Sequence, residues 1–169
     1  PLGDVLGRLE GLADKGIRSV AIGPEQPSSS VGSVAFDDRG GGRLAGQHLI
    51  GIGRRRIAFL GDPRTVSQSA DRLAGLHDGA PDARIEVIAT DGLTIEAGLL
   101  AAERIIAAPA AERPDAVFAA NDMLAIGAQT ALLRAGITVP GEVAIVGFDD
   151  VDQARQALVP LTTVRQPGY

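Results

Sequence analysis

Apolar and polar positions alternate along the chain in two rhythms. Val5, Leu6, Leu9 and Leu12 recur at helical spacing, and Gly16 follows as the residue that closes the turn. Ile17 to Ile22 alternates as a strand does, Pro24 to Gly32 reads as a loop, and Val34 to Phe36 is a short apolar strand. Asp37 or Asp38 is placed to cap the next helix, Gly41 to Ile52, with Leu44, Ala45, His48, Leu49 and Ile52 on one face. From there the alternation becomes regular. Strands are predicted at Arg56 to Leu60, Ile85 to Ala89, within Pro114 to Ala119, at Val143 to Gly147 and at Thr162 to Arg165. Helices are predicted at Ser67 to Asp78, with Leu73 and Leu76 inward, and at Thr94 to Ala108, with Ile95, Leu99, Ala102 and Ile106 inward. A further one runs from Asn121 to Ala135, closed by Gly136, with Pro140 beyond. Strands separated by helices of about ten to fifteen residues imply βαβ units. The fold class is therefore α/β, a parallel sheet with helices on both faces.

Composition narrows the function. At 169 residues the chain is long enough for one domain with a core, or for one and a part. Its 45% apolar content argues against disorder, and with 3% aromatics the core must be aliphatic. A formal charge of −5 argues against a segment that grips a polyanion, so any DNA contact must come from a part outside this sequence. The absence of cysteine rules out disulfides and thiolate metal sites and fits a reducing cytoplasm. No apolar run is long enough to span a membrane, and the N-terminus lacks the features of a signal peptide. The chain opens without Met inside an amphipathic pattern, which reads as a fragment of a longer protein.

Three segments of the second half place polar side chains just after a strand-like run: AANDMLAIGA (Ala119 to Ala128), VAIVGFDD (Val143 to Asp150) and PLTTVRQP (Pro160 to Pro167). Ligands of open α/β sheets sit at such strand ends. Asn121 and Asp122 suit a helix cap, and a second role is open to them, one capping while its neighbour reaches a ligand hydroxyl. Asp149 and Asp150 read as a solvated turn, as a metal or phosphate pair, or as a carboxylate facing a crevice, where it can accept two hydroxyl hydrogens from a polyol. TTVRQ reads as an edge strand and turn.

Other fragments say less. The three glycines of DDRGGGRLAGQHL could cradle an anion at a helix start, but the Lys-Ser/Thr of a phosphate loop is missing. Arg54 to Arg56 compensates a helix dipole. His48, on an apolar helix face, suits packing, and no nucleophile–base–orienter set is present, so no catalytic residue and no metal or cofactor ligand is assigned.

Those three segments, in that order, resemble the effector-binding domain of the LacI/GalR family of bacterial transcription regulators. RRRIAFLGDP, SQSADRLAGL and the run from Arg113 to Asp150 extend the resemblance over almost the whole chain. It implies a type I periplasmic-binding-protein-like fold, two Rossmann-like subdomains joined by three crossovers with the effector between them. On that pattern residues 1–36 are part of the N-terminal subdomain, 37–165 are the C-terminal subdomain, and 166–169 begin the return crossover. The resemblance makes Phe36 a packing contact near the first crossover, and Arg72, Asn121, Asp149 and Gln166 polar ligand contacts. Val66 and Gln68 occupy positions that vary with the effector. Leu93 stands where many members carry an aromatic residue, and Ala70 where many carry an arginine. The short stretch from Leu76 to Ile85 predicts a short helix.

An Arg–Asp–Asn set beside an apolar wall suits a sugar, with a purine as the other effector class. By the same resemblance the intact protein is a cytoplasmic homodimeric repressor without membrane partners. It reads operator DNA through a helix-turn-helix not in this sequence, and the helix from Asp122 to Leu133 contributes to the dimer surface. Two other classes compete: a periplasmic sugar-binding protein of the same fold, and an α/β enzyme such as a sugar kinase. The TTVRQP segment favours the regulator, and an enzyme would need a phosphate loop or a catalytic base.

Overall fold

The computed structural model describes residues 5–22 and 30–166. The chain forms two compact units, 1–37 and 38–169. In the first, helix α1 (Val5–Ala13) precedes strand β1 (Val20–Ile22), which pairs in parallel with β2 (Gly32–Val34). Gly16 takes the left-handed conformation expected of a helix stop. The strand predicted from Ile17 is shorter. The apolar run at Val34 to Phe36 is shifted, because register pairs Gly32 to Val34, and not Phe36, with β1. Most of the predicted Pro24–Gly32 loop, and everything after Gln166, lies outside the described residues.

The second unit carries α2 (Asp38–Gly51), β3 (Arg56–Leu60), α3 (Ser67–Gly79), β4 (Arg84–Ile88), α4 (Ile95–Ala107), β5 (Ala116–Ala119), α5 (Asp122–Arg134), β6 (Ala144–Asp149), α6 (Asp152–Gln156) and β7 (Thr162–Arg165). The sheet runs β4-β3-β5-β6-β7 with every neighbour parallel. β3 and β5 are buried throughout, apart from Arg56, which explains their unbroken apolar runs. Phe59 and Phe118 meet edge-to-face in the core at 5.6 Å between centroids. α3 leads from β3 outward to β4, whereas α5 leads from β5 the other way to β6. Right-handed crossovers therefore put these two helices on opposite faces of the sheet. The point of reversal, between β3 and β5, leaves a crevice outside their carboxyl ends.

Two helix pairs, α2 with α3 and α4 with α5, pack through glycines. A Cβ on Gly42 would overlap the Arg72 carbonyl, one on Gly75 that of Arg39, and one on Gly98 that of Leu124. This corrects the anion-cradle reading of the glycine triplet: Gly41 and Gly42 are buried and let neighbours approach. It also explains why the predicted faces are rotated. On α2 the inward residues are Gly42, Ala45, Gly46 and Leu49, while Leu44, His48 and Ile52 are exposed. On α4 Gly98, Ala101, Ala102 and Ile105 are buried, and Ile95, Leu99 and Ile106 only half so. Close backbone approach rewards small side chains, so bulk is a poor guide to the buried face. α3 spans Ser67–Gly79, one residue beyond the predicted Asp78. The five-residue α6 has no signature in the hydrophobic pattern.

Candidate functional site

The candidate residues of the second unit gather along the carboxyl edge of its sheet. Arg72 stands on α3, the helix after β3, and is buried. Its Nε donates to Asp38 Oδ1 at 2.7 Å and its Nη1 to the carbonyl of Ala120, just beyond β5. Its guanidinium carbon lies 3.7 Å from the centroid of the Phe148 ring, a cation–π stack. Phe148 in turn needs Gly41, because a Cβ there would overlap the ring. Three groups thus hold one guanidinium plane, and its Nη2 lies 3.7 Å from Asp149 Oδ1.

Asp149 ends β6 with φ of 105°, and Asp150 follows at 56°. Both are left-handed, a conformation rare for residues other than glycine. Burial pushes the Asp149 carboxyl up to about 6; the Arg72 cation opposes this, and the charges of Asp122 and Asp38 add to it. Gln166 Nε2 donates to Asp149 Oδ1 at 2.8 Å. Asp150 lives differently. Its carboxylate pairs with Arg165, and with Arg155 at 3.4 Å, and the Arg165 bond holds it below the usual range. The two adjacent aspartates are therefore distinct: Asp150 is closed off by arginines, and Asp149 faces Arg72 across a gap longer than a hydrogen bond.

Asn121 caps α5: its Oδ1 accepts from the Leu124 N–H at 2.9 Å, and its Nδ2 donates to the Leu93 carbonyl at 3.1 Å. The expected division of labour with its neighbour does not hold. Asp122 is fully buried and accepts from Thr163 Oγ1 at 2.6 Å and from the Val151 N–H at 2.9 Å. Burial raises its pKa, against these bonds. It cannot meet a ligand. Leu93, half-buried against the core, fixes the loop that Asn121 holds. Val66 precedes α3 without a side-chain cap. Gln68 is half-buried one turn before Arg72, on the same helix face. Phe36 belongs to the 1–37 unit and is 37% exposed.

Arg72, Asp149 and Gln166 are thus joined in one cluster with Asp38 and Phe148. Asp38, read as a cap, and Phe148, read as core, are the residues that sequence reasoning missed. The clue available for Asp38 was a carboxylate at the start of a helix whose next turn is glycine. Among the described residues no group of three or more His, Asp or Glu side chains is arranged to hold a metal ion. The cluster offers a carboxylate acceptor, a planar cation and an amide, the groups that bind adjacent hydroxyls.

A family model described as a periplasmic binding protein-like domain matches residues 46–168. The HTH-type transcriptional regulator CelR of Thermobifida fusca is 36% identical over 145 residues, 83% of this chain and 42% of CelR. The chain spans about half the length of the curated relatives it matches. A regulatory protein of the LacI family from Chloroflexus aggregans superposes with a TM-score of 0.84 at 33% identity, over 95% of this chain and 58% of the other. A LacI family transcriptional regulator from Lactobacillus casei, solved with bound glucose, gives 0.84 at 26% identity, over 95% of this chain and 62% of the other. With a parallel α/β sheet that carries its polar cluster at the carboxyl edge, and with these matches, the chain belongs to the LacI family of transcriptional regulators and is its periplasmic-binding-protein-like, effector-binding domain.

Proposed function

We propose that this domain binds a sugar at the carboxyl edge of the five-stranded sheet and that binding alters operator affinity in the intact protein. The observation that carries the reading is the meeting of Arg72, Asp149 and Gln166 outside the strand ends. Asp149 accepts two hydroxyl hydrogens, Arg72 and Gln166 donate to hydroxyl oxygens, and Asn121 borders the same edge. Leu93, Val66 and Gln68 shape the ligand's outline; these three contacts rest on the family resemblance. The glucose bound to the Lactobacillus casei relative supports a sugar.

Regulation requires that the sugar bind two arrangements of the protein unequally, since equal affinity shifts no equilibrium. In the reading we favour, the intact protein is a cytoplasmic homodimer whose DNA contacts lie in a helix-turn-helix outside this chain, and it carries no catalytic activity.

The test is a thermal-shift and calorimetric screen of the intact protein against monosaccharides, disaccharides, sugar phosphates and purines, repeated with Asp149→Ala. A sugar hit lost in the variant is the expected result. A hit that survives it moves the site away from Asp149, and a purine hit replaces the ligand class.

A further inference from the structure

Strand alternation turns Gly147 and Phe148 to opposite faces of the sheet. Phe148 meets α2 and Arg72, and Gly147 meets Asp122 on α5. Continued alternation would carry Asp149 to the α5 side, away from Arg72. The left-handed backbone at Asp149 and Asp150 breaks the alternation and brings Asp149 Oδ1 to 3.7 Å from the guanidinium. Consecutive left-handed aspartates persist only where neighbours hold them.

The holding group is visible. Asp122 Oδ2 accepts the Val151 N–H at 2.9 Å, just past the turn. Asp122 Oδ1 accepts the Thr163 hydroxyl at 2.6 Å, and Thr163 Oγ1 accepts the Asp150 N–H at 3.3 Å. Gly147 makes room, because a Cβ there would overlap Asp122 Oδ1. Thr163 pairs with Gly147 across the β6–β7 ladder, so the latch joins α5, the turn and the last strand.

We infer that Asp122 and Thr163 form a latch that holds the left-handed Asp149–Asp150 turn and thereby aims the Asp149 carboxylate at Arg72. They are positioning residues, acting through Asp149. The inference rests on Asp149 as the ligand contact for its functional meaning, while the latch itself can be tested without ligand.

The experiment compares the intact protein with Thr163→Val, Thr163→Ser and Asp122→Asn. Hydrogen exchange reads the Asp150 and Val151 amides, and carboxyl NMR follows Asp149, assigned by its loss in Asp149→Asn. The groups that set its titration are Arg72 on α3, Asp38 on α2, Asp122 on α5 and Gln166 after β7. In Thr163→Val the two amides exchange faster while β3 and β5 stay protected, and the Asp149 midpoint falls from about 6 toward the ordinary carboxylate range as the side chain swings into water. Thr163→Ser restores both. Asp122→Asn disturbs the same amides if Thr163→Val fails to fold. Titration with D-glucose then weakens by about tenfold in Thr163→Val and recovers in Thr163→Ser. Unchanged amides and an unchanged Asp149 midpoint overturn the latch, as does faster exchange spread evenly over the sheet. If D-glucose does not bind the unmodified protein, the sugar reading is weakened, while exchange and titration still decide the latch.

Discussion

The two edges of the five-stranded sheet carry similar charges and use them in opposite ways. At the amino edge the charged groups close on backbone. Asp115 Oδ1 accepts the N–H groups of Arg55 and Arg56 at 3.0 and 2.9 Å. Arg54 Nη2 donates to the carbonyls of Pro140 and Gly141 at 2.7 and 3.0 Å, and Glu142 takes the Thr138 N–H at 2.8 Å. These bonds tie loops to strand starts. At the carboxyl edge one arginine is buried among two aspartates and a ring, the separation to Asp149 is 3.7 Å, and burial opposes the charge of that aspartate. One edge closes its polar groups on backbone; the other holds a carboxylate beyond hydrogen-bond range of its cation.

The contrast can be broken by substitution. The largest expected effect is at Arg72. Arg72→Met leaves Asp38 and Asp149 without their cation and should cost about 3–5 kcal/mol in denaturant unfolding. Asp38→Asn added to it should recover part of that loss, because the two residues form one buried pair at 2.7 Å. A strictly additive double variant would mean that the pair is energetically idle.

At the amino edge Asp115→Ala removes an acceptor shared by two backbone N–H groups, and about 1–3 kcal/mol of stability with it. Affinity for any sugar that the screen finds, measured on the folded protein, should stay as it was. A change in affinity would show that the edges are not independent.

Asp149→Asn should have the opposite sign. The folded carboxyl titrates near 6, above its ordinary 3.8. Its contribution to stability is full below about pH 4 and is lost as pH rises through about 6, so at neutral pH the carboxylate burdens the fold. The side chain is 34% exposed, and solvent screening reduces the burden to about 1–2 kcal/mol. Asn should therefore raise the unfolding midpoint at pH 7 and barely move it at pH 4, while abolishing sugar binding. Equal effects at both pH values would rule out the carboxylate as the cause.

The smallest effect belongs to a pair at neither site. Arg39 and Asp78 bond at 2.7 Å on the surface between α2 and α3. Asp78→Ala should leave both midpoint and affinity unmoved, which calibrates the other three.

Much of this was legible in the chain itself. β3 and β7 fall where their apolar and β-branched runs place them, and α5 begins at the cap Asn121 and stops at the left-handed Gly136. Arg72, Asp149 and Gln166 were marked by motif, and the fold draws them together. What escaped were relations at long range. Leu44 and Ile52 mimic an inward face, but the glycines of α2 win it because α3 approaches too closely for larger side chains. Asp38 looks like a cap until Arg72, 34 positions away, claims it.

Apart from α6, the sequence alone determined the order and kind of the elements, because periodicity, caps and breakers act over a few neighbouring residues. It also placed the polar groups at strand ends. Only the tertiary structure decided how Asp149 is turned toward Arg72 while Asp150 is closed off by arginines. That arrangement rests on a left-handed turn and on a buried carboxylate, hydroxyl and glycine supplied by three separate elements, and no local pattern encodes their meeting.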